Sequence, residues 1–212
     1  MKVYPYVGLA GFALLTVYSL VVATSAVAIE KVKYRVLEKE DGIELRQYEP
    51  HMVAETFVEG SLEDVGKDGF RLLYAYISGN NKKKQSISMN APVGQEASSE
   101  KIAMTAPVSQ EKKDNQWRIT FLIPSEYTLE TVPEPLDERV KIAKIPGRLV
   151  AAVRYSGTWS REGYEENEAL LEEFIRRRDY KKAGATVWAR YDPPFMPWFL
   201  RRNEVLIPVK KF

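Results

Sequence analysis

Apolar and polar residues alternate along the first folded part of the chain with the period of two that is typical of β-strands. Residues 32–36 and 43–46 both alternate in this way, and Asp41-Gly42 between them is a turn dipeptide. β-Type residues continue over 52–58 and stop at Gly60. The pattern therefore predicts a hairpin followed by a third strand.

Apolar residues then recur at helical spacing in two segments. The first runs from Leu62 to Ile77, and Ser61, with Asp64 three residues later, is placed to cap its N-terminus. The second follows a strand-like segment at 149–155 and the break at Gly157-Thr158. Its apolar residues are Tyr164, Leu170, Leu171, Phe174 and Ile175. Two helices are predicted, each directly after a strand.

The two strand–helix segments repeat at an offset of about 97 residues. The pairs that share this offset are Val53/Val150, Ala54/Ala151, Gly60/Gly157, Ser61/Thr158 and Leu73/Leu170. Two related β-α-β-β halves would explain them, and a chance match is the alternative because few identities support the pairing. Further strands are predicted at 86–93, 102–110, 117–123, 140–145, 186–191 and 204–209. The expected fold is an α+β domain, with a mostly antiparallel sheet curled into a barrel and flanked by two helices.

Composition and charge narrow the classes of function. The chain has 212 residues, a formal net charge of +2 and no cysteine. Such a balance gives little electrostatic reason to bind nucleic acid, and the basic runs at 82–84 and 176–178 are interpreted as solvated charge. The lack of cysteine excludes disulfides, thiolate nucleophiles, cysteine-ligated metals and covalent haem attachment. No GxGxxG, Walker, HExxH or nucleophile-elbow motif occurs, so we expect a binding protein and not an enzyme.

The first 28 residues predict the location of the protein. After Lys2 there is no charged residue until Glu30, and residues 26–28 (AVA) match the small-x-small pattern of a signal-peptidase site. The apolar run is also close to the roughly 20 residues that span a bilayer. Residues 1–28 are interpreted as a signal peptide or an uncleaved N-terminal membrane anchor, with a buried core helix as the remaining alternative. Residues 29–212 are then an exported domain, in the periplasm or another extracytoplasmic space.

Two near copies of one short motif lie 15 residues apart. Residues 88–93 read SMNAPV, residues 103–108 read AMTAPV, and the residues between them are polar. Two strands with a proline at an edge or bulge would explain the copies without any ligand. Alternatively, the paired Met89 and Met104 offer a soft apolar wall, or a thioether, to a cofactor.

These residues, with two other motifs, carry a family resemblance. Residues 101–108 (KIAMTAPV), the strand 43–48 (IELRQY) and the closing segments 191–194 (YDPP) and 201–205 (RRNEV) together resemble the SOUL haem-binding protein family. The match covers roughly residues 32–209, and several motifs in order make it specific. The resemblance implies a distorted antiparallel barrel of two similar halves flanked by two helices. It also implies non-covalent binding of haem or another tetrapyrrole, a function that varies among members.

The resemblance does not supply an iron ligand. Some members carry a histidine in the strand motif where this chain has Gln47, and the only histidine, His51, follows four residues later. Gln47 shares its strand face with Ile43 and Leu45, either as a satisfied polar residue or as a pocket residue. His51 follows Pro50 and is interpreted as a turn or surface residue. We therefore expect haem to bind without a protein ligand to its iron.

The segment 193–202 is the strongest candidate for a ligand contact. Three prolines oppose a helix there, and the segment carries five large apolar side chains followed by two arginines. A porphyrin needs an apolar slot for its ring and cations for its propionates. The predicted cleft lies between this segment and the first helix, and its predicted contacts are Leu73, Tyr74, Ile77, Phe195, Met196, Trp198 and Arg201. Two alternatives are that the aromatic residues cap the core, or that Trp198 and Phe199 touch a membrane interface.

The sequence thus favours a binder or carrier of haem or a related tetrapyrrole. The alternative function is an envelope module that binds another apolar ligand or a protein partner. An enzyme would need a turnover that survives the removal of haem.

Overall fold

A computed structural model describes residues 29–84 and 98–212. Its strands are β1 (Tyr34–Glu40), β2 (Ile43–Tyr48), β3 (His51–Val58), β4 (Asn81–Lys82), β5 (Val108–Lys113), β6 (Gln116–Leu122), β7 (Glu134–Pro135), β8 (Lys141–Ile145), β9 (Arg148–Tyr155), β10 (Tyr180–Lys182), β11 (Val187–Arg190) and β12 (Asn203–Lys211). The helices are α1 (Leu62–Ile77) and α2 (Arg161–Arg177), and a 3-10 turn covers Trp198–Leu200. The predicted leader at 1–28, the predicted strand at 86–93 and the first copy of the short motif lie outside the described residues.

Most strands form one antiparallel sheet in the order β1-β2-β9-β12-β11-β5-β6-β3-β8, with β10 beside β12. With its two helices, the fold belongs to the predicted α+β class. The path ends at β1 and β8, which do not pair with each other in the described part of the chain, so a closed barrel is not observed.

The same topology occurs in both halves of the sheet. In the first half, β3 precedes α1 and pairs with β6, which pairs with β5. In the second half, β9 precedes α2 and pairs with β12, which pairs with β11. The β5–β11 ladder joins the halves. This arrangement agrees with the predicted β-α-β-β repeat.

The turns before the helices also match, although the helix caps do not keep the predicted offset. Gly60 and Gly157 share a φ of 137°, a left-handed conformation that favours glycine. Ser61 caps α1 as predicted, since its Oγ accepts from the Asp64 backbone N–H at 3.3 Å. Ser160, and not Thr158, caps α2 by accepting from the Gly163 N–H at 3.2 Å. Two extra residues therefore separate the second turn from its helix.

Two short links cross from one half of the sheet to the other. β2 pairs with β9 but leads directly into β3, and β8 pairs with β3 but leads directly into β9. The links touch at Gly147, where an added Cβ would lie 3.1 Å from the Tyr48 carbonyl oxygen and 3.3 Å from Pro50 Cδ. The face of the sheet opposite the helices is here called the helix-free face. Because of the two links, strands that are far apart in the sheet order lie around this face.

Apolar side chains are buried on both faces of the sheet. Ala151 and Val153 of β9 belong to the main core under the helices, whereas Val150 and Ala152 belong to a smaller cluster on the helix-free face. Strands buried on both faces depart from the simple alternation of a one-sided sheet.

A buried ionic network lies beside the smaller cluster. Glu204 is 0% exposed and accepts hydrogen bonds from Arg46 at 2.8 and 3.2 Å, and from Arg202 at 2.7 and 3.1 Å. The Tyr191 hydroxyl donates to the same carboxylate at 2.9 Å, and Arg46 donates to the Tyr48 hydroxyl at 3.1 Å. Burial raises the pKa of Tyr48 to about 12. The RRNEV motif thus supplies a buried carboxylate and one of its cations.

Candidate functional site

Residues 193–201, here called the apolar loop, expose large apolar side chains. Phe195 is 85% exposed and Trp198 is 59% exposed, and the neighbouring Phe199 and Leu200 are exposed as well. The Trp198 and Phe199 rings meet edge to face at a centroid distance of 5.5 Å. Grouped exposed aromatic side chains are typical of a contact surface. The alternative in which these aromatic residues cap the core does not fit their exposure.

Arg201 fixes the backbone of the apolar loop. Its Nε donates to the Met196 carbonyl at 2.8 Å, and its Nη2 donates to the Pro194 carbonyl at 2.6 Å. The Gly157 N–H donates to the Trp198 carbonyl at 3.0 Å and ties the loop to the turn before α2. Arg201 therefore positions the loop, and its remaining N–H groups are the ones that a ligand carboxylate would use.

Trp159 connects the apolar loop with the interior. The Arg201 guanidinium carbon lies 4.7 Å from the centre of the Trp159 ring, and the Arg190 guanidinium carbon lies 4.9 Å from it. The Trp159 Nε1 donates to the Asn203 side-chain oxygen at 3.0 Å, and Asn203 donates to the Gly157 carbonyl at 3.2 Å. Asn203 of the RRNEV motif thus holds both the tryptophan and the turn.

Arg190 carries this connection to both helices. Its Nε donates to the hydroxyl of Tyr164 on α2 at 2.9 Å, and its Nη2 donates to the Gln110 side-chain oxygen at 3.3 Å. On α1, a Cβ added at Gly66 would lie 3.2 Å from Arg190 Nη1, so a larger residue there would have to displace the arginine slightly. Sequence reasoning missed Arg190 and Trp159. The sequence signal for Arg190 was its position two residues after Trp188, which places both side chains on the same, core-facing side of β11.

The predicted α1 residues divide between the core and the surface. Leu73 and Ile77 are buried in the main core, whereas Tyr74 is 51% exposed. Tyr74 stacks on Phe70 with a centroid distance of 5.7 Å and an interplanar angle of 11°. The link from α1 towards the apolar loop runs through Gly66, about 12 Å along the helix from Tyr74. Phe70 and Tyr74 are thus large apolar side chains that α1 exposes to solvent.

A cluster of aromatic rings lies under the helices. Trp188 stacks on Tyr164 at 5.1 Å and contacts Trp117 at 5.2 Å, and Tyr155 meets Tyr164 edge to face at 6.3 Å. The Trp188 Nε1 and the Tyr155 hydroxyl are buried without a hydrogen-bond partner in the residues that the structure describes. Burial raises the pKa of Tyr155, so the hydroxyl stays protonated. Both donors are enclosed in the interior, whereas the aromatic rings beside cations suit a flat apolar molecule with carboxylates.

Gln47 and His51 lie on opposite faces of the sheet. Gln47 shares the helix-facing side with Ile43 and Leu45, as predicted, and donates to the Tyr48 carbonyl at 3.3 Å. His51 lines a cavity on the helix-free face, and its Nδ1 lies 2.9 Å from the Glu49 carbonyl oxygen. Within 29–84 and 98–212, no group of three or more histidine or acidic side chains is arranged to hold a metal ion. No histidine therefore faces the apolar loop.

We expect the substitution His51→Ala to change haem affinity by less than about tenfold, because the imidazole lies across the sheet from the apolar loop. Titration of the variant, followed by absorbance, measures this. Loss of the haem spectrum in a folded His51→Ala protein would identify the histidine as the ligand.

The second copy of the short motif has a structural role. The buried Thr105 donates to the Leu122 carbonyl at 2.6 Å, and Ala106 forms a parallel bridge with Lys31. Met104 is exposed. The strand predicted at 102–110 is therefore wrong over most of this copy, because regular pairing begins only at Val108 in β5 and the residues before it form a single bridge at Ala106. The pairing of Met104 with Met89 lies outside the described residues.

Neither α1 nor α2, the helices of the described ranges, is both long and apolar enough to cross a bilayer.

Several solved structures share this fold. The structure is similar to a hydrolase from Listeria innocua, with a TM-score of 0.54 and 12% identity, covering 82% of this chain and 94% of that chain. It is also similar to the EcmrR C-terminal domain, with a TM-score of 0.57 and 10% identity, covering 84% and 99% of the two chains. At these identities the likeness concerns the fold alone. No curated protein sequence matches the chain. The sequence model of the "SOUL heme-binding protein" family, however, matches residues 29–208, and the chain therefore belongs to the SOUL haem-binding protein family.

Proposed function

We propose that the protein binds haem or a related tetrapyrrole non-covalently between α1 and the apolar loop, as a binder or carrier and not as an enzyme. The observation that carries the proposal is the exposure of four large apolar side chains on a loop whose backbone Arg201 fixes. Family membership supports the same ligand class.

Burial of the porphyrin ring supplies most of the affinity in this proposal. Phe195, Trp198 and Phe199 offer apolar surface, and removal of such surface from water is worth about 25 cal/mol per Å². The unused N–H groups of Arg201 suit a propionate at the edge of the ring. Bound haem would supply iron chemistry, and the residues near the apolar loop would hold and orient it without a histidine.

A haem titration of the purified 29–212 domain tests the proposal. We expect a saturable shift of the Soret band and, because no protein ligand is invoked, an affinity for iron-free protoporphyrin within about tenfold of that for haem. Spectra that equal the sum of free haem and free protein would contradict the proposal and favour another apolar ligand or a protein partner. A strong preference for haem over the iron-free ring would contradict binding without an iron ligand.

We extend the proposal to location outside the cytoplasm, supported by the uncharged run before Glu30. Cell fractionation tests it, because full-length protein in the soluble cytoplasmic fraction would contradict an exported or anchored domain.

A further inference from the structure

The helix-free face contains a second polar site, across the sheet from the apolar loop. A cavity of about 60 Å³ lies there between strands of both halves. Its charged wall includes Arg118, Arg148 and Glu111, and its apolar wall includes Val150, Val187 and Leu206. Because Glu111 pairs with Arg118 at 2.7 Å, Arg148 is the cation of this wall that can recognise a small anion.

Arg118 and Arg148 differ in how their guanidinium groups are satisfied. Arg118 donates to Glu55 at 2.6 Å and to Glu111 at 2.7 Å, and these carboxylates raise its pKa although burial opposes the shift. Arg148 has no hydrogen bond or ion pair with any residue of the described ranges. Burial lowers the pKa of Arg148, the Glu111 carboxylate acts in the opposite direction, and the Arg118 cation lowers the pKa further. Arg148 therefore brings unused N–H donors into a partly desolvated space.

A half-buried guanidinium without acceptors is an unusual arrangement, because desolvation disfavours the charge and nothing nearby compensates for it at hydrogen-bond distance. The planar group matches the two oxygens of a carboxylate or a phosphate. Val32 and His51 line both this cavity and an adjacent groove of about 400 Å³, whose charged wall includes lysines and glutamates in equal number. The groove offers a route from solvent to the arginine.

We propose that the cavity on the helix-free face binds a small oxyanion, a carboxylate or a phosphate, through bidentate hydrogen bonds from Arg148. This site is separate from the haem cleft, because its residues project from the opposite face of the sheet. Binding of the anion completes the hydrogen bonding of the guanidinium.

His51 provides a direct probe of this site. It is the only histidine in the chain, so its imidazole resonances in an NMR spectrum need no further assignment. We expect inorganic phosphate or propionate, added to the purified 29–212 domain without haem, to shift these resonances with a saturable, millimolar dependence. The anion that binds more tightly identifies the ligand class. A titration with sodium chloride at matched ionic strength is the control for general screening.

Two variants make the test specific. Arg148→Gln should weaken anion binding at least about tenfold, the loss expected for a charge-assisted bidentate pair. Arg154→Gln, on the exposed end of the same face of β9, should leave the affinity within about twofold and serves as the matched control. Without added anion, Arg148→Gln should keep or raise the melting temperature, because it removes a desolvated cation.

Two results would overturn the proposal. One is the absence of any shift beyond the chloride control up to about 50 mM of either anion, far above a millimolar dissociation constant. The other is an unchanged affinity in a folded Arg148→Gln protein. Neither depends on haem, so the outcome is independent of the function proposed for the apolar loop.

Discussion

Replacement of Glu204 by glutamine should lower the free energy of unfolding by about 3–5 kcal/mol, the cost of breaking a buried ion pair from one side. Glu204 is fully buried, and Arg46 is 2% exposed. The substitution removes the carboxylate that Arg46 and Arg202 share, and Arg46 then keeps only the partly exposed Glu44, at 2.9 Å, as a charged partner. Water cannot reach Arg46 to replace the lost carboxylate. Urea unfolding at pH 7, monitored by circular dichroism, measures the loss.

Glu173→Gln is the matched control for this experiment. Glu173 also pairs with two arginines, Arg176 and Arg177, but all three side chains are exposed, so we expect a loss under about 1 kcal/mol. Arg46→Gln should fall between the two, since Glu204 keeps Arg202 as a partner. Equal losses in Glu204→Gln and Glu173→Gln would show that burial does not set the strength of the network.

Truncation of Trp198 to alanine should weaken haem binding by roughly tenfold to 150-fold, which corresponds to about 1.5–3 kcal/mol of lost apolar contact. Because the side chain is largely exposed in the free protein, the melting temperature should hardly change. Absorbance titration and thermal unfolding of the same preparation separate the two effects.

Phe212→Ala is the matched control, because Phe212 is another exposed aromatic residue but lies at the end of the chain. Its haem affinity should equal that of the parent protein. Arg201→Ala should also weaken binding, since the loop loses its contacts to the Pro194 and Met196 carbonyls. Unchanged haem affinity in folded Trp198→Ala and Arg201→Ala would exclude the apolar loop and direct the search to Phe70 and Tyr74 on α1.

The hydrophobic pattern predicted strands and helices well where apolar residues recur every second residue, as in a strand, or every 3.6 residues, as in a helix. The hairpin β1–β2, the strand β3 and both helices follow from that periodicity, and the matching φ of Gly60 and Gly157 follows from the repeat. Periodicity did not predict the cap at Ser160, because two inserted residues change the offset without changing the helix pattern.

The candidate site was predicted only in part. The sequence predicted an irregular segment at the apolar loop but left open whether its aromatic residues cap the core, and only the structure shows that they are exposed. Leu73 and Ile77 carry the same apolar signal as a ligand contact and are placed in the core. Helical spacing distinguishes buried from exposed positions, but it does not distinguish a core from a cleft.

The sequence by itself determined the family and the α+β class, because these depend on composition, short-range periodicity and contiguous motifs. Only the tertiary structure decided that Arg190, Trp159 and Arg201 form one connection, that Arg46 meets Glu204 across 158 positions, and that His51 faces away from the apolar loop. The physical reason is that alternation fixes the two faces of a strand, whereas the residue that meets each face depends on the order in which distant strands pair.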